Sequence, residues 1–380
     1  MRIGIAALVL AYVLSQFYRA FLAVLSPDLQ ADIGATPGDL ATASGLWFLS
    51  FAACQIPVGA ALDRLGPRRT ASVLLGLAGG GGALVFAGAE TAFHVQVAMM
   101  LIGAGCSPVL MAAFTIFART YPPAVFATLA GATVGVGSLG NVLSAAPLTA
   151  LVGAVGWRPS LLGLAAVTAA VALILWLVVR DPPRAEGPPG SVLDVLRLRA
   201  LWPILAMMFA CYGPVACLRG LWAGPLAASL GADARAVGWV TLAMGLAMVG
   251  GNFAYGPADR LFGTRKGVVW AGNAVVLGAL LALALLPLGL WGTAALLALA
   301  GFAGSSFPLV SAHARALFPA HLVGRGVTLV NMVGIGGAGL LQVASRPIQA
   351  EGGFDGLLLA FAAVVAVGLL LYLPARDRTD

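Results

Sequence analysis

Charge is scarce in this chain: only 9% of its 380 residues are Asp, Glu, Lys or Arg, against about 25% in soluble domains. Acidic residues number 14, and none falls inside an apolar run. Polar stretches are also missing, with one exception near the middle. At 61% hydrophobic residues and a mean hydropathy of +0.99, the chain has more apolar surface than a soluble core can hide, and lipid must solvate it. The four cysteines (Cys54, Cys106, Cys211 and Cys217) all lie in apolar runs, which argues for free thiols within helices and against a disulfide framework. The three histidines (His94, His313 and His321) sit near the ends of runs. No Ser/His/Asp set or metal-ligand spacing is present. The glycines at 79–82 lie in an apolar run with no Lys-Ser after them, so they are no phosphate cradle. An enzyme and a resident cofactor are therefore not expected. The net charge of +7 comes from arginines in loops, and implies no nucleic-acid partner.

Twelve apolar runs are present, near residues 4–26, 40–62, 70–89, 94–117, 126–153, 158–179, 201–226, 236–257, 267–287, 291–313, 326–346 and 356–374. Runs of about 20 residues cross a hydrocarbon layer of ~30 Å as helices. The first resembles a signal peptide at its start. It lacks a convincing cleavage site and continues to Leu25, so it reads as a membrane helix. The polar exception carries Asp181-Pro182-Pro183 and Gly187-Pro188-Pro189-Gly190. It divides the chain into a six-helix bundle over 1–180, a linker over 181–200 and a second six-helix bundle over 201–380. The expected fold is an all-α membrane protein.

Lys and Arg fix the orientation. One set of loops and ends holds sixteen of them, including Arg2, Arg64, Arg68, Arg69, Arg119, Arg180, Arg184, Arg260, Arg265, Lys266, Arg315, Arg325 and Arg378; the other holds Arg158, Arg235 and Arg346. The positive-inside bias places both termini in the cytoplasm, in a bacterial-type inner membrane.

The halves repeat one another. GAALDRLGPRR (Gly59 to Arg69) returns as GPADRLFGTRK (Gly256 to Lys266). Pro108, Arg119 and Pro122 are echoed by Pro308, Arg315 and Pro319. The first copy resembles the loop signature between helices two and three of the major facilitator superfamily, Gly-x-x-x-Asp-Arg-x-Gly followed by basic residues, with Pro67 where a basic residue is usual. The resemblance implies a twelve-helix transporter of two pseudo-symmetric bundles, working by alternating access. It implies a gate latch on the cytoplasmic side built from Gly59, Asp63, Arg64, Gly66 and Arg68, repeated at Asp259 and Arg260. The plainer alternative is a topogenic loop and nothing more.

Two cations remain inside runs: Arg19 in helix one and Arg219 in helix seven. An intramembrane Arg costs ~2.5–3.5 kcal/mol on insertion scales and marks function by default. Repeat-equivalent helices at similar depth predict that the pair faces a central cavity and grips an anion, since guanidinium forks bind carboxylate or phosphate bidentately. The placement is similar to that of organophosphate and organic-anion transporters. A small organic or phosphorylated anion is thus the expected substrate. Tyr12, Gln16, Tyr18, Gln55, Asn141, Tyr212, Trp222, Asn252 and Tyr255 are candidate lining residues. The competing view makes both arginines structural, snorkelling to the interface or capping carbonyls.

Two other substrates compete. Met207, Met208, Cys211, Met244 and Met248 could serve a copper importer, though no His accompanies them and two arginines repel a cation. A neutral vitamin-like or amphipathic compound is the other. With no carboxylate in the runs, anion exchange or facilitated diffusion is expected over carboxylate-based proton symport. A monomer is expected.

Overall fold

Backbone polar groups in hydrocarbon must be satisfied within their own segment, so apolar runs of this length can only be helices. The computed structural model describes residues 2–183 and 191–377. Part of the expected linker, residues 184–190 with Arg184, and also Arg378 lie outside the described residues. The helices are α1 (Arg2–Ile33), α2 (Pro37–Arg64), α3 (Pro67–Ala87), α4 (Ala92–Thr120), α5 (Val125–Val155), α6 (Trp157–Val178), α7 (Arg199–Ser229), α8 (Ala234–Phe262), α9 (Arg265–Leu285) and α10 (Leu290–Arg315). A last helical stretch, Val323–Tyr372, turns at Gly353, whose φ of 64° suits only glycine. That break separates α11 (323–352) from α12 (354–372). Twelve crossings result among the described residues, in agreement with the run count.

Helix starts follow local chemistry. Thr36 and Asp39 form a reciprocal capping box at α2. The bonds from the Thr36 hydroxyl and amide hold the Asp39 carboxyl below its ordinary range. Thr91, Asp233 and Thr264 cap α4, α8 and α9 through their side chains. α1 runs past its expected end, carrying Pro27 within it. Two helices contain wide turns with one extra residue per turn, Leu75–Gly80 in α3 and Leu218–Trp222 in α7. Such bulges re-aim side chains. α4 loosens at Ser107-Pro108, and α10 loosens at Gly304 to Ser306 before Pro308.

The chain packs as two compact units. Unit 1 holds Met1–Thr120, Val136–Val192 and Pro319–Leu329; unit 2 holds Tyr121–Gly135, Leu193–Phe318 and Val330–Asp380. Each unit therefore includes a stretch from the opposite half of the sequence. In unit 1, α3 and α4 meet backbone to backbone at Gly79 and Gly105, where any side chain on Gly105 would strike Gly79. α1 is tied to α6 by Tyr18 and Thr168, 2.7 Å apart, and by the Trp157 indole donating to Asp32 at 2.7 Å. In unit 2, Tyr255 donates to Ala303 O at 2.6 Å and Asn273 to Ser306 Oγ at 3.0 Å, joining α8 and α9 to α10. Leu77, Leu177, Leu261 and Val343 are exposed, as lipid-facing residues should be.

Candidate functional site

Tyr12, Gln16 and Arg19 fall at helical spacing on α1. The Arg19 guanidinium lies over three rings of α2: Trp47 at 5.1 Å, Phe48 at 5.9 Å and Phe51 at 5.9 Å. A cation over an aromatic face is attracted by the ring quadrupole, by up to about 2 kcal/mol when desolvated. Cys106 of α4, beside Ser15, lies within electrostatic reach of Arg19. Gln16 and Gln55 are buried, and Gln55 donates to Ser107 O at 3.2 Å. Tyr18, by contrast, is fully buried against Thr168. Tyr12 packs on Gly137 of α5, and Asn141 is half-buried further along that helix. The α2 aromatics escaped the sequence reading, although Trp47 and Phe51 at i and i+4 were visible there.

In unit 2, Arg219 sits within the wide turn that follows Pro214, and its guanidinium lies across Gly245 of α8. Other expected lining residues carry packing bonds. Trp222 donates to Ser345 Oγ at 2.9 Å, Asn252 to Met248 O at 2.9 Å and Tyr255 to Ala303 O. The Tyr212 ring packs on Phe307 at 5.6 Å. Met207, Met208, Cys211 and Met244 are fully buried. Met208 abuts Gly334, and Met244 and Met248 abut Gly301. No group of three or more His, Cys, Asp or Glu residues suited to a metal occurs among the described residues.

The loop signature forms a bonded cluster in unit 1. Asp63, almost buried at the end of α2, accepts from Arg119 Nη2 at 2.7 Å and from Arg325 Nη1 at 2.9 Å. It also accepts from the Gly324 and Arg325 amides at 2.8 and 3.1 Å. Those amides open α11, where a helix presents unpaired N–H groups and a partial positive charge. Gly59 lets α2 approach α11, since a Cβ there would strike Thr328. Gly66, at φ 95°, makes the reversal into α3 and leaves room for the Asp181 carboxylate. Asp181 accepts from the Arg68 amide at 2.7 Å, and the Arg68 guanidinium lies over Trp176 at 5.4 Å. Arg64 is exposed.

The second copy in unit 2 is wired differently. Asp259 is gripped by Arg265 through one carboxylate oxygen, at 3.0 and 2.7 Å; both side chains are fully buried. Arg260 donates to Thr128 of α5 at 2.6 Å. Asp377, after α12, takes the place Asp181 holds in the first copy. It accepts from the Thr264 hydroxyl and from the Arg265 and Lys266 amides. Partial burial would raise its carboxyl, but these donors outweigh it and hold the group below its ordinary value. Asp181, Asp377, Arg119, Arg265 and Arg325 were not among the gating residues read from sequence. The partners of Asp181, Asp377, Arg119 and Arg325 lie far away along the chain, where no local pattern reports them; Arg265 and Asp259 are six residues apart and meet across the turn at Gly263.

The sequence matches the family model described as Major Facilitator Superfamily over residues 8–221. No curated protein matches it. Among solved structures, the human organic anion transporter MFSD10 (TETRAN) aligns with a TM-score of 0.76 at 15% identity, covering 98% of this chain and 99% of that one. The E. coli fucose:proton symporter FucP aligns at 0.78 and 16% identity, covering 98% of both chains. A FucP structure in the outward conformation aligns at 0.77 and 16%, covering 98% of this chain and 99% of that one. These likenesses are of fold. With the family model matched over more than half of the chain and the Gly-x-x-x-Asp-Arg loop folded as described, the chain belongs to the major facilitator superfamily.

Proposed function

We propose that this transporter carries a small organic or phosphorylated anion by alternating access, with Arg19 and Arg219 as anion ligands. The observation that carries the reading is the seat of Arg19, a cation well inside α1 held against the rings of Trp47, Phe48 and Phe51. An Arg kept at that depth by packing is a functional feature by default, and an anion is what its fork recognises. The MFSD10 neighbour, an organic anion transporter by its description, is consistent with this. Fold likeness alone assigns no substrate.

The protein is proposed to lie in a bacterial-type inner membrane as a monomer, with both termini and the Asp63 and Asp259 clusters on the cytoplasmic side. These clusters act as latches that hold one face closed and release it as substrate crosses. Because no Asp or Glu falls within an apolar run, exchange of anions or facilitated diffusion is the proposed mode. Arg219→Gln should abolish anion flux in proteoliposomes while leaving expression and melting behaviour intact. Normal flux in R219Q would refute the assignment.

A further inference from the structure

Three buried polar atoms on α1 and α2 are unsatisfied. Trp47 is 1% exposed, yet its indole N–H has no hydrogen-bond partner among the described residues. Gln16, one turn before Arg19 on α1, has its buried Oε1 unpaired, as does Gln55, two turns beyond Trp47 on α2. Buried polar atoms are nearly always paired in native structures, so unpaired ones ask for a missing partner. The Arg19 guanidinium lies over the rings of Trp47, Phe48 and Phe51. Arg19 is also the one cation of unit 1 well inside a span among the described residues. Arg119 is committed to Asp63, Arg64, Arg68 and Arg69 lie at the loop, and Arg158 lies over Trp157 and donates to Ala89 O.

We infer that the substrate is a monocarboxylate with an apolar or aromatic body, and that Trp47 is the residue that selects it. This rests on Arg19 being an anion ligand. A guanidinium fork matches the geometry of a planar carboxylate. The free indole N–H on the ring beneath supplies a second donor. The rings of Phe48 and Phe51 then cover an apolar body, as in ligand sites where a few polar groups fix orientation and apolar walls supply contact. The open acceptor of Gln16, one turn before Arg19, accommodates a hydroxyl or amide N–H on that body. A phosphate ester of a sugar fits poorly. It brings a second negative charge, and it carries more hydroxyls than one glutamine acceptor can pair, so the others would lose water against the Phe48 and Phe51 rings.

Purified protein in detergent would be titrated by thermal shift with benzoate, hexanoate, inorganic phosphate and glycerol 3-phosphate, using wild type, Arg19→Gln, Trp47→Phe and Trp47→Leu. The expected result is stabilisation by benzoate and hexanoate, absent for the two phosphates and lost in R19Q. Benzoate affinity should fall about tenfold in Trp47→Leu, and less in Trp47→Phe, which keeps a ring and loses the N–H. If the phosphates bind more tightly than benzoate and R19Q abolishes that binding, the substrate class is overturned while the anion reading stands. If no anion gives an Arg19-dependent shift, the anion reading itself falls. The wild-type ranking of ligands decides the question even if a Trp47 variant folds poorly.

Discussion

At the scale of single residues, Asp63 ties the end of α2 to both α4 and α11. One carboxylate holds Arg119, Arg325 and the first turn of α11. Removing one member of a buried ion pair leaves its partner charged and uncompensated, which typically costs about 3–5 kcal/mol. Asp63→Asn should therefore lower the melting temperature of the purified protein clearly, and Asp63→Glu somewhat less. An unchanged melting curve would show that the cluster holds nothing. Asp63 was legible as a residue to watch because Gly-x-x-x-Asp-Arg-x-Gly is a local pattern. Arg325 was not legible as its partner, because the contact joins residues on opposite halves of the chain. Arg19 stood out as a lone cation in an apolar run. Trp47 did not, since a Trp in a membrane run reads equally well as an interfacial anchor.

At the scale of elements, caps and breaks decide where helices start and how they bend. The α9 amides are capped by Asp377 from beyond α12, as the α3 amides are by Asp181. Replacing a capping side chain by Ala costs about 1 kcal/mol. Asp377→Ala should speed hydrogen exchange in the first turn of α9 and leave α3 unchanged; equal protection in both proteins would contradict the cap. The docked Asp377 carboxyl is held below its ordinary value. Docking therefore stabilises the fold at neutral pH, and that contribution fades as pH falls through the depressed value. Exchange in the first turn of α9 should rise in that acid range in wild type and show no such step in Asp377→Ala. Helix packing offers a further test. Gly105→Val drives a side chain into the α3 backbone, and overpacking of this kind costs about 1–3 kcal/mol; an unchanged melting temperature would contradict the close contact. The helix count was legible from apolar runs. The wide turns in α3 and α7 were not, because one extra residue per turn leaves composition and spacing almost unchanged.

For the whole molecule, the duplicated sequence gives two copies of the loop signature whose wiring differs. Asp63 is bonded to arginines from α4 and α11, whereas Asp259 is bonded to Arg265 of the adjoining helix. The repeat was readable in the residues; the difference was not, since both copies keep Asp-Arg in place. Membership of the superfamily sets transport as the function, and the two intramembrane arginines set the proposed cargo. The most direct test is counterflow of labelled benzoate into benzoate-loaded proteoliposomes, with wild type beside R19Q and R219Q. Saturable uptake that both variants lose, with both still folded, is the predicted result. Uptake in the variants equal to wild type would make the arginines structural and contradict the proposed anion site.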